Sequence, residues 1–96
     1  MAFEWDTDKN RTNIGKHGVS FEMASGIFAG PVLTWIDDRK PYGEVRMRSI
    51  GRVSGLAVLV VIHTERSGKT RIISARPADS SERKRYEDAI QKGTER

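Results

Sequence analysis

The chain has 96 residues, 36% of them hydrophobic, 31% charged and none cysteine. That length holds one domain able to bury about 60–65% of its unfolded surface, which excludes a dinucleotide-binding unit joined to a separate substrate domain. The missing cysteines exclude disulfide staples and thiolate-ligated zinc, and a formal charge of +4 directs attention to anionic partners.

No apolar run approaches the roughly 20 residues of a membrane span; the longest, Leu56 to Ile62, has seven. Met1-Ala2-Phe3-Glu4-Trp5-Asp6 lacks the basic-then-apolar order of a secretory signal. The expectation is a soluble cytoplasmic protein, one folding unit over residues 1–96, without internal repeats.

A short strand at Ala2–Trp5 leads into Asp6, a favourable N-cap. A polar helix then runs from about Thr7 to His17, with Gly18 placed to end it and Ile14 its large apolar anchor. Ser20 caps a second helix whose Phe21, Ala24, Ile27 and Phe28 share a face, and Gly30-Pro31 stops it. The hydrophobic period then changes to two. Val32–Ile36 reads as a strand and Asp37 to Gly43 as a turn. In Glu44–Val53, Val45 and Met47 alternate with Arg46 and Arg48. Ser54-Gly55 is a hairpin signal. Leu56–Ile62 is apolar on both parities, the mark of a central strand covered on both faces or nearly so. A turn at Ser67-Gly68-Lys69 precedes a last strand, Thr70–Ala75. Asp79 and Glu82 have the spacing of a capping box for a final helix that runs to about Lys92, with Tyr86, Ala89 and Ile90 as its apolar stripe and Gly93 at its end. The expected architecture is α+β: two N-terminal helices, a four-stranded antiparallel meander with a short N-terminal strand, and a C-terminal helix. The helices cover one sheet face and leave the other, with its arginines, open to a ligand.

The charge is unevenly spread. Residues 1–43 carry five Lys/Arg against six Asp/Glu, whereas residues 44–96 carry twelve against seven, and nine of those twelve are arginine. Arginine suits planar, bidentate recognition of phosphate, so the basic half points first to nucleic acid.

Three constellations follow. His63-Thr64-Glu65-Arg66 comes directly after the most apolar strand, where rigidly held side chains reach solvent; it supplies an imidazole and a carboxylate for proton transfer and a cation for phosphate. Its plain alternative is a hairpin end facing water. Arg76 lies on the last strand in parity with Ser74, with Arg71 pointing the other way and Arg46 and Arg48 on a neighbouring strand; the plain alternative is a solvated face of Glu–Arg pairs, for instance with Glu44. Asn10, Asn13, Lys16 and His17 form a polar rim on the first helix, or else caps and turn residues beside Gly18. The two histidines are 46 positions apart with no carboxylate cluster, so no metal is expected, and neither a glycine-rich phosphate loop nor a serine elbow is present. Cleavage of RNA suits such parts without a cofactor. The ribose 2′-hydroxyl is an internal nucleophile, so the protein supplies a base, an acid and cations for the developing phosphorane charge.

Phe3-Glu4-Trp5-Asp6, Lys9, Asn13 and Lys16-His17-Gly18-Val19-Ser20-Phe21 resemble the opening of BrnT-type toxins. The likeness resumes at Gly43-Glu44, Arg46 and Ile50-Gly51, continues through His63-Thr64-Glu65-Arg66 and Arg71-Ile72-Ile73-Ser74-Ala75-Arg76, and ends at Glu82-Arg83 and Tyr86-Glu87. The resemblance implies a ribonuclease toxin of a type II toxin–antitoxin pair. It further implies a RelE- or barnase-like fold, metal-independent endoribonuclease cleavage that blocks translation, and a BrnA-like ribbon-helix-helix antitoxin. That antitoxin dimer would assemble a heterotetramer and carry any contact with operator DNA. Carried onto this chain, the resemblance assigns Arg66 and Arg76 to phosphate binding and transition-state stabilisation. It assigns His63 and Glu65 to proton transfer, Arg46 and Arg48 to the RNA backbone, and Lys16 and His17 to completing the site. Pro77 and Ser80-Ser81 depart from the family's more basic pattern there. A non-catalytic nucleic-acid or ribosome-binding module is the alternative, although the sheet offers only Trp35 and Tyr42 as stacking aromatics; a pure interaction protein with an acidic partner is a third.

Overall fold

A computed structural model describes residues 1–53 and 57–93. Strand β1 (Phe3–Glu4) leads to α1 (Thr7–His17), whose Asp6 cap accepts a hydrogen bond from the Lys9 N–H at 3.0 Å. Gly18 closes the helix with φ +69°, a conformation glycine adopts without a Cβ penalty, and its N–H donates to Ile14 O at 2.8 Å. Ser20 caps α2 (Phe21–Ser25), which tightens into a 3-10 turn at Gly26–Ala29. The second helix is thus shorter than its apolar spacing predicts, but Phe21, Ala24 and Ile27 remain fully buried together.

The strands are β2 (Val32–Ile36), β3 (Met47–Val53), β4 (Ala57–Arg66) and β5 (Lys69–Pro77), followed by α3 (Ser80–Gly93). The Ser54-Gly55 hairpin signal and Leu56 lie outside the described residues. β3 begins at Met47 rather than Glu44. β4 runs on through His63-Thr64-Glu65-Arg66, so those four residues belong to the strand rather than following it. At the start of α3, the Glu82 N–H donates to Asp79 Oδ1 and the Asp79 N–H to Glu82 Oε1. This is the reciprocal capping box read from the spacing.

The sheet order is β1-β5-β4-β3-β2. β2 to β5 pair antiparallel in succession, while β1 joins β5 in parallel through Phe3↔Thr70 and Glu4↔Arg71, making a five-stranded mixed sheet. β4 is buried on both faces. Leu59 and Val61 pack with Phe21, Ala24, Ile27 and Ile72 beneath α1 and α2, whereas Val58 and Val60 pack with Ile50, Ala78 and Tyr86 beneath α3. The expectation that all helices share one face is therefore corrected. α3 lies on the second face, over β2 and β3, with Leu33, Trp35 and Ile90 at its border and the Tyr86 hydroxyl donating to Pro31 O at 2.8 Å. A strand apolar on both parities needs cover on both sides, and α3 carries the apolar stripe that provides it.

Gly51 marks the closest approach of the sheet to the 3-10 turn. A Cβ there would meet Ile27 Cβ at 2.7 Å and Val32 Cγ1 at 3.0 Å. Gly51→Ala is expected to destabilise the fold by about 1–3 kcal/mol through overpacking, read as a fall in the thermal unfolding midpoint; an unchanged midpoint would refute the tight approach.

Candidate functional site

The pairing of β4 with β5 slips by one residue between Ile62 and His63. Ile62 opposes Ser74 and His63 opposes Ile72, so Ile73 is left over as a bulge. A strand's side chains alternate, so one extra residue reverses which face the rest of the strand presents. Val60, Ile62 and Thr64 lie on the α3 face of β4, and their partners Arg76, Ser74 and Arg71 therefore lie on that face too. Arg71 does not point the other way, as an unbroken alternation would require. Arg48 of β3 opposes Ile62 and completes the row.

β5 is flanked by β1 only at Thr70 and Arg71, so beyond the bulge its outer edge lacks a strand. Asn13 of α1 fills the gap. Its Nδ2 donates to Ala75 O at 2.7 Å and to Val19 O at 2.8 Å, and its Oδ1 accepts from the Ala75 N–H at 3.2 Å. A buried side-chain amide thus satisfies both backbone groups of Ala75 as a neighbouring strand would. Asn10 is similarly spent, accepting from the Phe21 N–H at 2.8 Å. The expected polar rim is therefore reduced to Lys16 and His17, both exposed. His17 follows Asn13 by four residues and so sits above it on the same helix face, brought to the edge of β5.

These elements enclose a cavity of about 190 Å³ lined by His17, Arg39, Arg48, Val60, Ile62, Ser74, Ala75 and Arg76. Three guanidinium groups and an imidazole meet there, and no carboxylate is in the lining. Arg76 is held from behind by both oxygens of Glu82, at 2.7 Å each, which raises the Arg76 pKa further and holds the Glu82 carboxyl down to about 2. Arg48 is steadied by its position 4.6 Å over the Trp35 ring, whose centroid also lies 5.0 Å from the Arg85 guanidinium. Arg39, which the sequence reading passed over inside a turn, reaches the cavity from the loop between β2 and β3. A second cavity of about 310 Å³, lined in part by Lys9, Thr12, Lys16 and Ile73, shares His17 and Ser74 with the first.

The other residues singled out from the sequence are placed elsewhere. His63 is on the α1/α2 face, only 7% exposed, with Nε2 hydrogen-bonded to Ser49 Oγ at 2.7 Å and its ring edge-on to Phe28 at 5.0 Å. Burial pushes its pKa below the ordinary 6.5, and its Nδ1 is buried without a partner. It cannot reach a ligand on the arginine face. Glu65 shares that first face and accepts from Thr70 Oγ1 at 2.8 Å. Arg66 is on the arginine face but six strand positions from the pair Val60–Arg76, about 20 Å along the sheet. There it shares Glu44 with Arg46, at 3.1 and 3.2 Å, and those two cations hold the Glu44 carboxyl below its ordinary pKa. Arg71 pairs with Glu4 at 3.1 Å. The plain reading of solvated Glu–Arg pairs thus describes this end of the sheet. His63, Glu65, Arg66 and Arg76 do not converge on one point; Arg48, Arg76 and His17 do.

Among the described residues, no group of three or more His, Asp or Glu side chains could hold a metal ion, and no helix is long and apolar enough to cross a membrane. The family model for the ribonuclease toxin BrnT of type II toxin–antitoxin systems matches residues 5–82. Among solved structures, the ribonuclease toxin BrnT of Brucella abortus superposes with a TM-score of 0.62 at 28% sequence identity, over 83% of this chain and 99% of that one. Among curated proteins there is no significant match.

Two outcomes follow from this geometry. Asn13→Ala leaves the Ala75 N–H and two carbonyls unpaired, and is expected to cost on the order of 3 kcal/mol or more in denaturant unfolding; a loss below about 1 kcal/mol would mean that water replaces the amide. The depressed His63 pKa favours folding only while the ring is neutral. Its contribution is complete above the unfolded value of 6.5 and is lost as pH falls below it. Asp37 and Glu82, also depressed, add their losses only below their ordinary values of 3.8 and 4.5. Between pH 6.5 and 4.5 the decline should therefore be largely absent from His63→Gln, measured by urea unfolding across that range.

Proposed function

We propose that this chain, which belongs to the BrnT family of ribonuclease toxins of type II toxin–antitoxin systems, cuts RNA at the cavity between α1, β3 and the bulge of β5. The observation that carries this reading is the convergence of Arg39, Arg48, Arg76 and His17 on one small cavity with no carboxylate in its lining. Asp37 and Glu82 each pair one of these arginines from outside the cavity, yet the charge of Arg39 still opposes that of Arg76, and an anion placed in the void relieves that repulsion.

In this reading a backbone phosphate enters the cavity and is held by Arg48 and Arg76. His17 takes the proton from the ribose 2′-hydroxyl, and the 2′-oxygen attacks phosphorus. The bond from phosphorus to the 5′-oxygen breaks, that oxygen gains a proton from water, the hydroxide so formed takes up the proton held by His17, and a 2′,3′-cyclic phosphate and a 5′-hydroxyl result. Imidazole is the side chain suited to ferrying a proton near neutral pH. The guanidinium groups, already fixed by Glu82 and Trp35, face the charge that grows on the phosphorane without having to reorganise. No step calls for a metal. The proton-transfer role passes from His63 and Glu65 to His17 because the former lie on the opposite face. Arg66, about 20 Å along the sheet from the Val60–Arg76 pair, and Arg46, two residues before Arg48, contact the RNA backbone to one side of the cavity, and Lys16 contacts it beside His17.

The type II family implies an antitoxin. We take it to be a BrnA-like ribbon-helix-helix dimer that gathers two toxins into a heterotetramer and supplies all contact with operator DNA. We read the whole of residues 1–96 as one RelE-like domain acting in the cytoplasm; the order of a short strand, two helices, four antiparallel strands and a closing helix supports the fold part of that reading.

Purified protein in excess chelator is expected to cut RNA and leave 2′,3′-cyclic ends. Arg48→Ala and Arg76→Ala are each expected to lower the cleavage rate about 100-fold or more, with His17→Ala similarly impaired and Arg66→Ala changed far less. Circular dichroism melting separates lost activity from lost fold, since Arg76 also fastens α3. Binding of RNA without cutting would favour the non-catalytic module, and full activity of the folded Arg48→Ala protein would remove the cavity from the mechanism.

A further inference from the structure

The loop between β2 and β3 holds a group that neither the sequence motifs nor the mechanism above uses. Asp37 is 3% exposed, and a carboxylate so buried is costly unless it is paired and hydrogen-bonded. It is both. Arg39 Nε donates to Asp37 Oδ1 at 2.6 Å, Arg39 Nη2 donates to Oδ2 at 2.9 Å, and the Tyr42 hydroxyl donates to Oδ2 at 3.1 Å. The Asp37 N–H is itself tied to Arg46 O at 2.8 Å, closing the loop at its base. Asp37 is held at a pKa of about 2 by this clamp.

The clamp is lopsided: the Asp37 side chain is fully buried while that of Arg39 is 54% exposed. A guanidinium has five N–H donors, and Asp37 takes two of them along one edge. The remaining donors belong to a half-exposed group that lines the cavity with Arg48 and Arg76. Arg39 also stands close enough to Arg76 for its charge to oppose that of Arg76. A surface arginine free to move would swing away from such a neighbour; the clamp prevents it. Mere stabilisation of the loop does not require the arginine to be aimed at two other cations.

We propose that Arg39 is a third phosphate-contacting residue of this cavity, with Asp37 and Tyr42 as the positioning residues that hold it there, and that the three arginines together bind a single phosphate group. The catalytic consequence rests on the ribonuclease reading; the binding of the anion does not.

The experiment titrates purified protein with inorganic phosphate at fixed ionic strength, with chloride as the balancing salt. Tryptophan fluorescence is the readout, since Arg48 lies over Trp35. The wild-type protein shows a saturable change. Arg39→Ala weakens binding about tenfold or more, and Arg39→Lys does not restore it, because an ammonium cannot span both Asp37 oxygens. Asp37→Asn, which removes the charge that holds Arg39, weakens binding as much as Arg39→Ala does; where it fails to fold, Tyr42→Phe, which removes one hydroxyl from the clamp, weakens binding about threefold in a protein that still unfolds cooperatively. A wild-type protein that does not respond to phosphate, or an Arg39→Ala protein that binds as wild type does, overturns the proposal. A protein that binds phosphate through Arg39 yet cuts no RNA upholds the anion site and overturns the ribonuclease reading alone.

Discussion

The arrangement depends on the bond between Asn13 and Ala75. A sheet edge that ends inside a protein must have its backbone groups satisfied, and β1 is too short to serve β5 beyond Arg71. Asn13 supplies from one side chain the donor and the acceptor that a further strand would have brought. Because that side chain belongs to a helix, the bond also fixes where α1 lies and which way its last turn faces. His17 reaches the arginine face around the edge of the sheet, not through it. Fold and site are thus joined at a single amide.

A second constraint comes from β4. Its burial on both faces demands two layers of cover, and the chain divides them unequally. α1, α2 and the 3-10 turn cover one side, while on the other α3 lies over β2 and β3 and packs on Val58 and Val60 of β4. Glu82 sets the boundary of that cover. It closes the capping box of α3 and grips Arg76 of β5, so the helix begins where the cavity ends. The carboxylate that starts the helix is the one that holds an arginine of the cavity, and the helix's second cap partner, Asp79, lies two residues beyond β5.

Much of this was legible in the sequence because it is written in local chemistry. Asp6, Gly18 and Ser20 mark their helix ends through hydrogen bonds within a few residues, and the spacing of Asp79 and Glu82 states a capping box outright. The double-sided apolar run at Leu56–Ile62 and the stripe of Tyr86, Ala89 and Ile90 already held the cue that a helix must cross to the second face. The bulge was not legible. Ile72-Ile73-Ser74 reads as ordinary alternation, and the slip exists only in the pairing with β4, so the side of Arg71 follows from that pairing alone. The same limit applies to His63. A histidine among valines is a solvent-facing group or a core group according to its face, and the face follows from register. Arg39 had still less signal, since nothing in a turn segment announces that Asp37 is buried and that its partner is thereby aimed.

The bond from Asn13 to Ala75 spans 62 positions in the chain, and this has a consequence for how the protein is made. α1 leaves the ribosome well before the edge it must dock against. Local turns and the β4–β5 hairpin close early by comparison, since their contacts are near in sequence. His17 meets Arg76 only when synthesis has passed the final strand, so a nascent or truncated chain cannot assemble the cavity. For a member of a ribonuclease toxin family, the order of synthesis itself withholds the finished cavity until β5 has emerged.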